Sequence, residues 1–600
     1  MERKKIKKKY REIIEENETR LGKLKKRQFL VSMMRLVLFA GGIAASVPFF
    51  RSSVTAGIIV LIISAFLFIL LVKYYTILAE KIHFTSNIIR INESELKGFQ
   101  GDYSAFNGGN EWIDKDHDFS MDTDLFGNDS LFRFLNRTVT GFGRETLARW
   151  LSKPYLFRNY IETRQEAVKE LAPEISWRQE FMAHGLGEPL EKEDVESLKS
   201  WLEEKESFLS SSTLKTLILL SPVLTVSLLV LALLNLIPFN ILGFLFILNL
   251  LFVGAYLKKT NRIHTMVSRK FSLLSSFEKL ISLFGNEQFR SQILKGAAGR
   301  LISDNKSAAL TIRELRRIIE AFDSRLNIFA GFLLNGLILW DFQCLIRLES
   351  WKAESAGQLP EWLETIGEVD ALVSLANHAY NNPEYVFPEI TSGEPVIDAV
   401  NMGHPLIEEK ARIHNDFLMS SKGLICIITG ANMSGKSTFL RTVAVNLVMG
   451  MAGTVVCASR FRFIPCNLFS SMITTDSLSK NESYFYAELK RLKTLKEKLE
   501  SGEEFFFLLD EILKGTNSED KSTGSKLFLS RLTDLNGTGI IATHDLSLGK
   551  MEHKFPGKIF NKCFEVEIEG ENIIFDYKLR DGITRHMNAG LLMRQMGILE

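Results

Sequence analysis

Gly423-Leu424-Ile425-Cys426-Ile427-Ile428-Thr429-Gly430-Ala431-Asn432-Met433-Ser434-Gly435-Lys436-Ser437 compresses three elements into fifteen residues. Ile425 to Thr429 is apolar and partly β-branched, which predicts a strand buried on both faces. Gly430 to Ser437 fits the spacing G-x-x-x-x-G-K-[ST], and Phe439, Leu440, Val443 and Leu447 then recur at helical intervals. Such a loop between a strand and a helix is a phosphate cradle. Its glycines let main-chain N–H groups turn inward, and the helix N-terminus adds its positive dipole end. Gly430, Ala431, Asn432, Met433, Ser434, Gly435, Lys436, Ser437 and Thr438 are therefore the expected contacts for a nucleoside triphosphate. Lys436 would place a point charge on the β- and γ-phosphates, and the Ser437 hydroxyl would coordinate magnesium.

Working outward, the C-terminal side supplies the expected partners. Glu504-Phe505-Phe506-Phe507-Leu508-Leu509 runs apolar into Asp510-Glu511. Asp510 is placed to hold the metal, and Glu511 to polarise an attacking water as general base. A helix is predicted over Ala487 to Leu499, with Leu489, Leu492, Leu495 and Leu499 on one stripe. A third strand, Gly539-Ile540-Ile541-Ala542-Thr543, delivers His544 beside the phosphates. The predicted unit is an α/β P-loop ATPase domain of the ABC type over 391–600, with ATP and Mg2+ as cofactors. Glu511, Lys436 and His544 are its catalytic side chains, and Ser437 and Asp510 its metal ligands.

Before this domain the pattern is helical and, in places, apolar enough for a membrane. Leu131 to Leu151 and Leu310 to Phe322 carry apolar residues at three- and four-residue spacing, predicting an all-α domain over 121–390. Ser52 to Val72 is a charge-free run of 21 residues, and Thr216 to Leu257 one of 42, broken at Ile237-Pro238-Phe239-Asn240. A span needs about 20 apolar residues, so the longer run predicts two helices joined by a tight turn. Phe29 to Phe50 adds a fourth candidate, interrupted by Arg35, which can snorkel toward headgroups. Residues 1–28 read as a basic cytoplasmic tail, with twelve Lys/Arg against five Glu before Gln28. Residues 29–72 read as the first hairpin, 73–120 as a linker, and 216–257 as a second hairpin. The expected setting is the inner (cytoplasmic) membrane, multi-pass, with every soluble segment facing the cytoplasm. The shorter run Leu326 to Trp340 predicts a buried core helix instead.

Composition excludes little further. The 600 residues carry a net charge of +2 with 24% charged and 46% hydrophobic residues, which points to a folded chain and does not by itself announce a nucleic-acid binder. The five cysteines form no CxxC pair and read as buried thiols in a reducing compartment.

The loop GANMSGKSTFLRTVA, the acidic motif LLDEILKGTNSED, the ATHDL segment and TTDSLSKNESYFYAEL between them together resemble the MutS-type ATPase of DNA mismatch repair. NMGHPL (401–406) resembles the start of that domain, and YKLRDGITRHMNAGLLMRQMGI (577–598) its helical closure. LFRFLNRTVTGFGRETLARWLSKP with RQEAVKEL resembles the opening of the MutS core helices. The resemblance covers roughly 125–190 and 260–600. It implies a homodimer through the ATPase domain, with Ser483 reaching the nucleotide of the neighbouring subunit. It also implies double-stranded or branched DNA as a partner, in repair or recombination. The departures are the membrane segments, which stand where that family carries its mismatch-reading front end and interrupt its levers. Two other readings stay open: a transport ATPase of the ABC kind, although no LSGGQ-type signature is present, and a membrane-bound ATP-driven switch that binds no DNA.

Overall fold

The computed structural model describes residues 2–187, 200–201, 212–285, 287–303, 306–355, 357–472, 484–514, 517–569 and 572–585. The chain opens on two long helices, α1 (Glu2–Ser52) and α2 (Val54–Gly98), folded back on each other at Ser53. Small residues let them approach closely: a Cβ on Gly42 would sit 2.8 Å from Ser64, and one on Gly57 would run into the Phe50 ring. Arg35 lies over the rings of Phe68 and Tyr75, at 5.6 and 4.9 Å from their centroids, so its charge faces π-density within the hairpin.

The basic run is not a free tail. It forms the first turns of α1, where Ile6, Tyr10 and Ile13 make an apolar stripe among the lysines and pack onto the protein. Residues 73–98 correct the expected linker in the same way. They continue α2 past its apolar half, with Leu78, Ile88, Ile91, Asn92 and Glu95 buried.

The helical region follows as α3 (Gly141–Ser152), α4 (Arg158–Leu171), α5 (Ile175–Gly185), α6 (Ser212–Leu233), α7 (Asn240–Gly285), α8 (Gln292–Leu301), α9 (Ala308–Asp323), α10 (Ile328–Ile338), α11 (Trp340–Ser355) and α12 (Leu359–Asn381). α12 is its axle, with Leu363, Ile366, Val369, Leu372 and Leu375 all buried. α3 docks on it at two glycines, Gly143 against Asp370 and Gly367 against Phe142, neither of which leaves room for a Cβ. α6 and α7 form the second apolar hairpin, broken near Pro238. By length and composition, four helices among the described residues could cross a membrane: α1, α2, α6 and the first part of α7. Their apolar residues are largely exposed, as at Ile58, Phe66, Leu229 and Phe244.

Leu326 to Trp340 departs from its expectation. It is not a core helix, because Ile328, Phe329, Phe332 and Leu333 of α10 are 83%, 87%, 57% and 54% exposed. Only its Gly331, Asn335 and Gly336 side is buried, and the chain bends by 80° between α10 and α11.

The C-terminal α/β region comprises β1 (Glu389–Ile390), β2 (Ile397–Met402), β3 (Asn415–Met419), β4 (Ile425–Gly430), α13 (Lys436–Ala452), β5 (Arg460–Phe463), β6 (Asn467–Ser471), α14 (Tyr484–Glu500), β7 (Phe505–Asp510), α15 (Ser518–Asp534), β8 (Thr538–Thr543), β9 (Ile559–Phe564) and β10 (Leu579–Asp581). A six-stranded sheet has the order β10-β9-β4-β8-β7-β6, parallel except at β10. A smaller sheet, β1-β5-β2-β3, packs beside it. β4 and β7 are buried along their whole length, as central parallel strands covered on both faces must be. One hydrophobic core runs from α12 through α13 into β4, so the helical and α/β regions are not separately packed.

Candidate functional site

The parallel register brings three strand ends to one edge. Thr543 of β8 pairs with Thr429 of β4, and Ala542 pairs with Asp510 of β7, so the segments leaving β4, β7 and β8 emerge together. Ligands of open α/β sheets bind at this carboxyl edge. The loop between β4 and α13 needs left-handed backbone at two positions, Met433 (φ 67°) and Gly435 (φ 102°). Gly435 allows that conformation without a Cβ penalty, and there a Cβ would also press on Tyr577.

Lys436 is buried at the first position of α13 and curls back over the loop, its Nζ donating to the carbonyls of Gly430 and Ala431 at 2.8 Å each. Burial lowers its pKa, and the carboxylates of Glu511 and Asp510 oppose that shift. The Ser437 hydroxyl donates to Asp510 Oδ2 at 2.5 Å. Glu511 has left-handed backbone (φ 55°), and its N–H donates to the carbonyl of Ala542, which pins it across the β7–β8 seam. Its Oε2 lies 3.3 Å from His544 Nδ1. Burial alone would raise the Glu511 carboxyl, but His544, Lys514 and Lys436 outweigh it and hold it below the ordinary glutamate value. Ser434 Oγ is buried in the loop without a hydrogen-bond partner. An orphaned buried hydroxyl directly before the N-terminus of α13 fits an anionic ligand.

A cleft of about 430 Å³ opens beside the loop, lined by Asn432, Met433, Lys436, Ser437, Thr438 and Glu511. His404, Ile413 and Tyr577 close its far side. These three come from segments on either side of the motif. Ile413 lies in no quoted motif, while His404 and Tyr577 lie in the family-like stretches NMGHPL and YKLRDG, which carried no site role for them. Burial, with Arg441 and Arg412 nearby, pushes the His404 pKa down to about 4. Glu488 of α14 is a further addition: its carboxylate accepts from the N–H groups of Leu513 and Lys514 at 2.5 and 3.0 Å, shaping the turn after Glu511. Of the sequence-expected residues, Gly430 to Thr438, Asp510, Glu511 and His544 meet at this edge. Ser483 and the segment 586–600 lie outside the described residues.

Two family models match this chain, MutS domain III over residues 115–376 and MutS domain V over 426–598. The chain belongs to the MutS family. The domain III match covers the helices from α3 to α12 up to residue 376, second apolar hairpin included, and the domain V match begins in β4, directly before the loop. α1 and α2 precede both matches.

Among MutS relatives, the chain is 30% identical over 230 residues to the DNA mismatch repair protein MutS of Thermotoga neapolitana, a stretch covering 38% of this chain and 28% of that protein. It is 32% identical over 232 residues to the protein of the same name from Thermotoga maritima, again 38% and 28%. It is 32% identical over 249 residues to MutS protein homolog 4 of Homo sapiens, covering 39% and 26%. The chain thus spans under a third of the length of the curated MutS relatives it matches.

Proposed function

We propose that this MutS-family chain is a membrane-anchored ATPase whose nucleotide cycle is coupled to DNA binding. The observation that carries the reading is the convergence of Lys436, the Ser437–Asp510 pair and the Glu511–His544 pair at the carboxyl edge of a parallel sheet, where Lys436, Ser437 and Glu511 line one cleft. In this reading the loop N–H groups and Lys436 hold the triphosphate, and Lys436 exchanges its two carbonyl contacts for phosphate oxygens. A bound Mg2+, held by Ser437 and Asp510, would supply charge neutralisation between the β- and γ-phosphates. Glu511, kept ionised, takes a proton from water. The water oxygen bonds to the γ-phosphorus as the bond to the β–γ bridging oxygen breaks, giving ADP and phosphate. His544 orients Glu511 and faces the departing phosphate.

DNA as partner is inferred from the relatives named for DNA mismatch repair. A dimer in which Ser483 completes the neighbour's site rests on the same family likeness. Membrane anchoring rests on the four long apolar helices and their exposed side chains.

The test compares two variants of the detergent-solubilised chain. Lys436→Ala should lose ATP retention on a filter. Glu511→Gln should retain ATP while its turnover falls roughly 10²- to 10⁴-fold, the scale of a lost general base. Equal loss of retention in both would mean that Glu511 holds the nucleotide instead of activating water.

A further inference from the structure

α10 carries no charge, and its outward face leaves Ile328, Phe329, Phe332 and Leu333 more than half exposed. Exposure alone decides nothing. The two ends of the helix do.

The last carbonyls of any helix lack intrahelical donors, and in water they are simply hydrated. In α10 three successive carbonyls each receive a side-chain donor from the second apolar hairpin. Asn249 Nδ2 donates to Gly336 O at 2.9 Å, Thr225 Oγ1 to Leu337 O at 2.5 Å, and Ser221 Oγ to Ile338 O at 3.0 Å. These donors sit inside the 42-residue charge-free run, and all three are buried. At the other end Asn327 Oδ1 accepts from the N–H groups of Phe329 and Ala330, at 3.1 Å each. Where the chain turns into α11, Asn335 Oδ1 accepts from the N–H of Asp341, and Arg325 pairs with the buried Asp341 at 3.1 Å. A helix whose ends are closed by protein groups on this scale is what hydrocarbon demands, since a backbone group unsatisfied there costs several kcal/mol.

The flanking elements fix the direction. α9, before α10, ends with Asp323 against His264 of α7, beyond the Lys258-Lys259 pair that closes the hairpin. α11, after it, reaches Lys215 at the start of α6 through Glu349. Both flanks thus lie at the charged end of the hairpin, while Phe332 packs on Phe246 and Gly336 meets the same ring well inside the apolar run.

We propose that α10 is a re-entrant membrane segment, entering the bilayer beside the second hairpin and returning on the same side, with acyl chains covering Ile328, Phe329, Phe332 and Leu333. The proposal rests on the reading that α6 and α7 cross the membrane. Lipid is the occupant because α10 packs on α6 and α7, whose outward residues, Leu229 and Phe244 among them, are apolar and exposed like its own.

The test places a nitroxide on Phe329→Cys, on Ile328→Cys and, as a span control, on Leu229→Cys. Each is made in a Cys466→Ser background of the full chain in phosphatidylcholine–phosphatidylglycerol vesicles. Power saturation then compares collision with oxygen and with a water-soluble nickel chelate. The expected result is high oxygen and low nickel access at 328 and 329, as at 229. Nickel access at 328 and 329 with a lipid-exposed 229 overturns the proposal. So does exclusion of both reagents there, which would place a second copy or another protein on the face. Nickel access at all three positions overturns the membrane reading of the hairpin, and this proposal with it.

Discussion

His404 lines the cleft beside Lys436, where burial, with Arg441 and Arg412 nearby, lowers the pKa of its imidazole. Gly430 to Ser437, Asp510 and His544 were legible because each is announced locally, by a strand that ends at the residue in question. His404 and Tyr577 reach the same cleft from segments before β4 and after β9, and only the tertiary fold brings them there. His404 also yields a pH prediction. Its folded pKa of about 4 lies below the ordinary histidine value of 6.5. The stability gained by burying it neutral is complete above pH 6.5 and is lost as pH falls through 4, by up to about 3 kcal/mol. Urea unfolding of the detergent-solubilised chain at pH 7 and pH 5 should therefore show the wild type losing more than His404→Gln. Parallel losses would mean that His404 is protonated in the fold.

At the level of elements, the four long apolar helices were legible from length and absence of charge, whereas the exposure of α10 was not. A charge-free run of fifteen residues suits a core helix and a membrane half-span equally well. What separates them is the partner surface, which lies 87 to 117 positions upstream, at Ser221, Thr225 and Asn249. At the basic start of α1, six cationic residues among the first nine surround an Ile6–Tyr10–Ile13 stripe at helical spacing, and that stripe is what packs. Where α1 and α2 meet the helical core, Glu95 is 2% exposed and pairs with Arg137 Nε at 2.5 Å. It also accepts from Asn377 and Asn381 of α12, and Tyr10 of α1 donates to Asn381. Glu95→Ala strands the Arg137 charge and should cost about 3–5 kcal/mol, while Glu95→Leu with Arg137→Met should recover most of it. Thermal midpoints of the three proteins in one detergent would check this. A double variant no better than Glu95→Ala would assign the loss to the asparagines rather than to the ion pair.

For the whole molecule, the β4–α13 loop and the first hairpin are joined by a continuous packed path. α13 begins at Lys436 and ends at Ala452, where Arg164 of α4 donates to the final carbonyl at 3.0 Å and stacks over Trp150 at 3.9 Å. Thr454 reaches the Leu375 carbonyl of α12, and α12 carries Asn377 and Asn381 to Glu95. Under the proposed function, a shift of this loop on nucleotide binding would bear on α12 and the base of the hairpin. Such transmission is useful at a membrane only if the soluble parts share one side of it. A cysteine introduced at Gly101 and one at Thr265 should both escape an impermeant thiol reagent in intact cells and react after permeabilisation; labelling of either from outside would break the two-hairpin topology. The central claim, an ATPase coupled to DNA and held at a membrane, is tested most directly by ATP hydrolysis of the full chain in lipid nanodiscs at low salt, alone, with duplex DNA and with a four-way junction. The account predicts hydrolysis that Lys436→Ala abolishes and that at least one DNA changes several-fold, an effect that fades as salt rises. Hydrolysis unaffected by Lys436→Ala, or a rate that neither DNA alters, would contradict it.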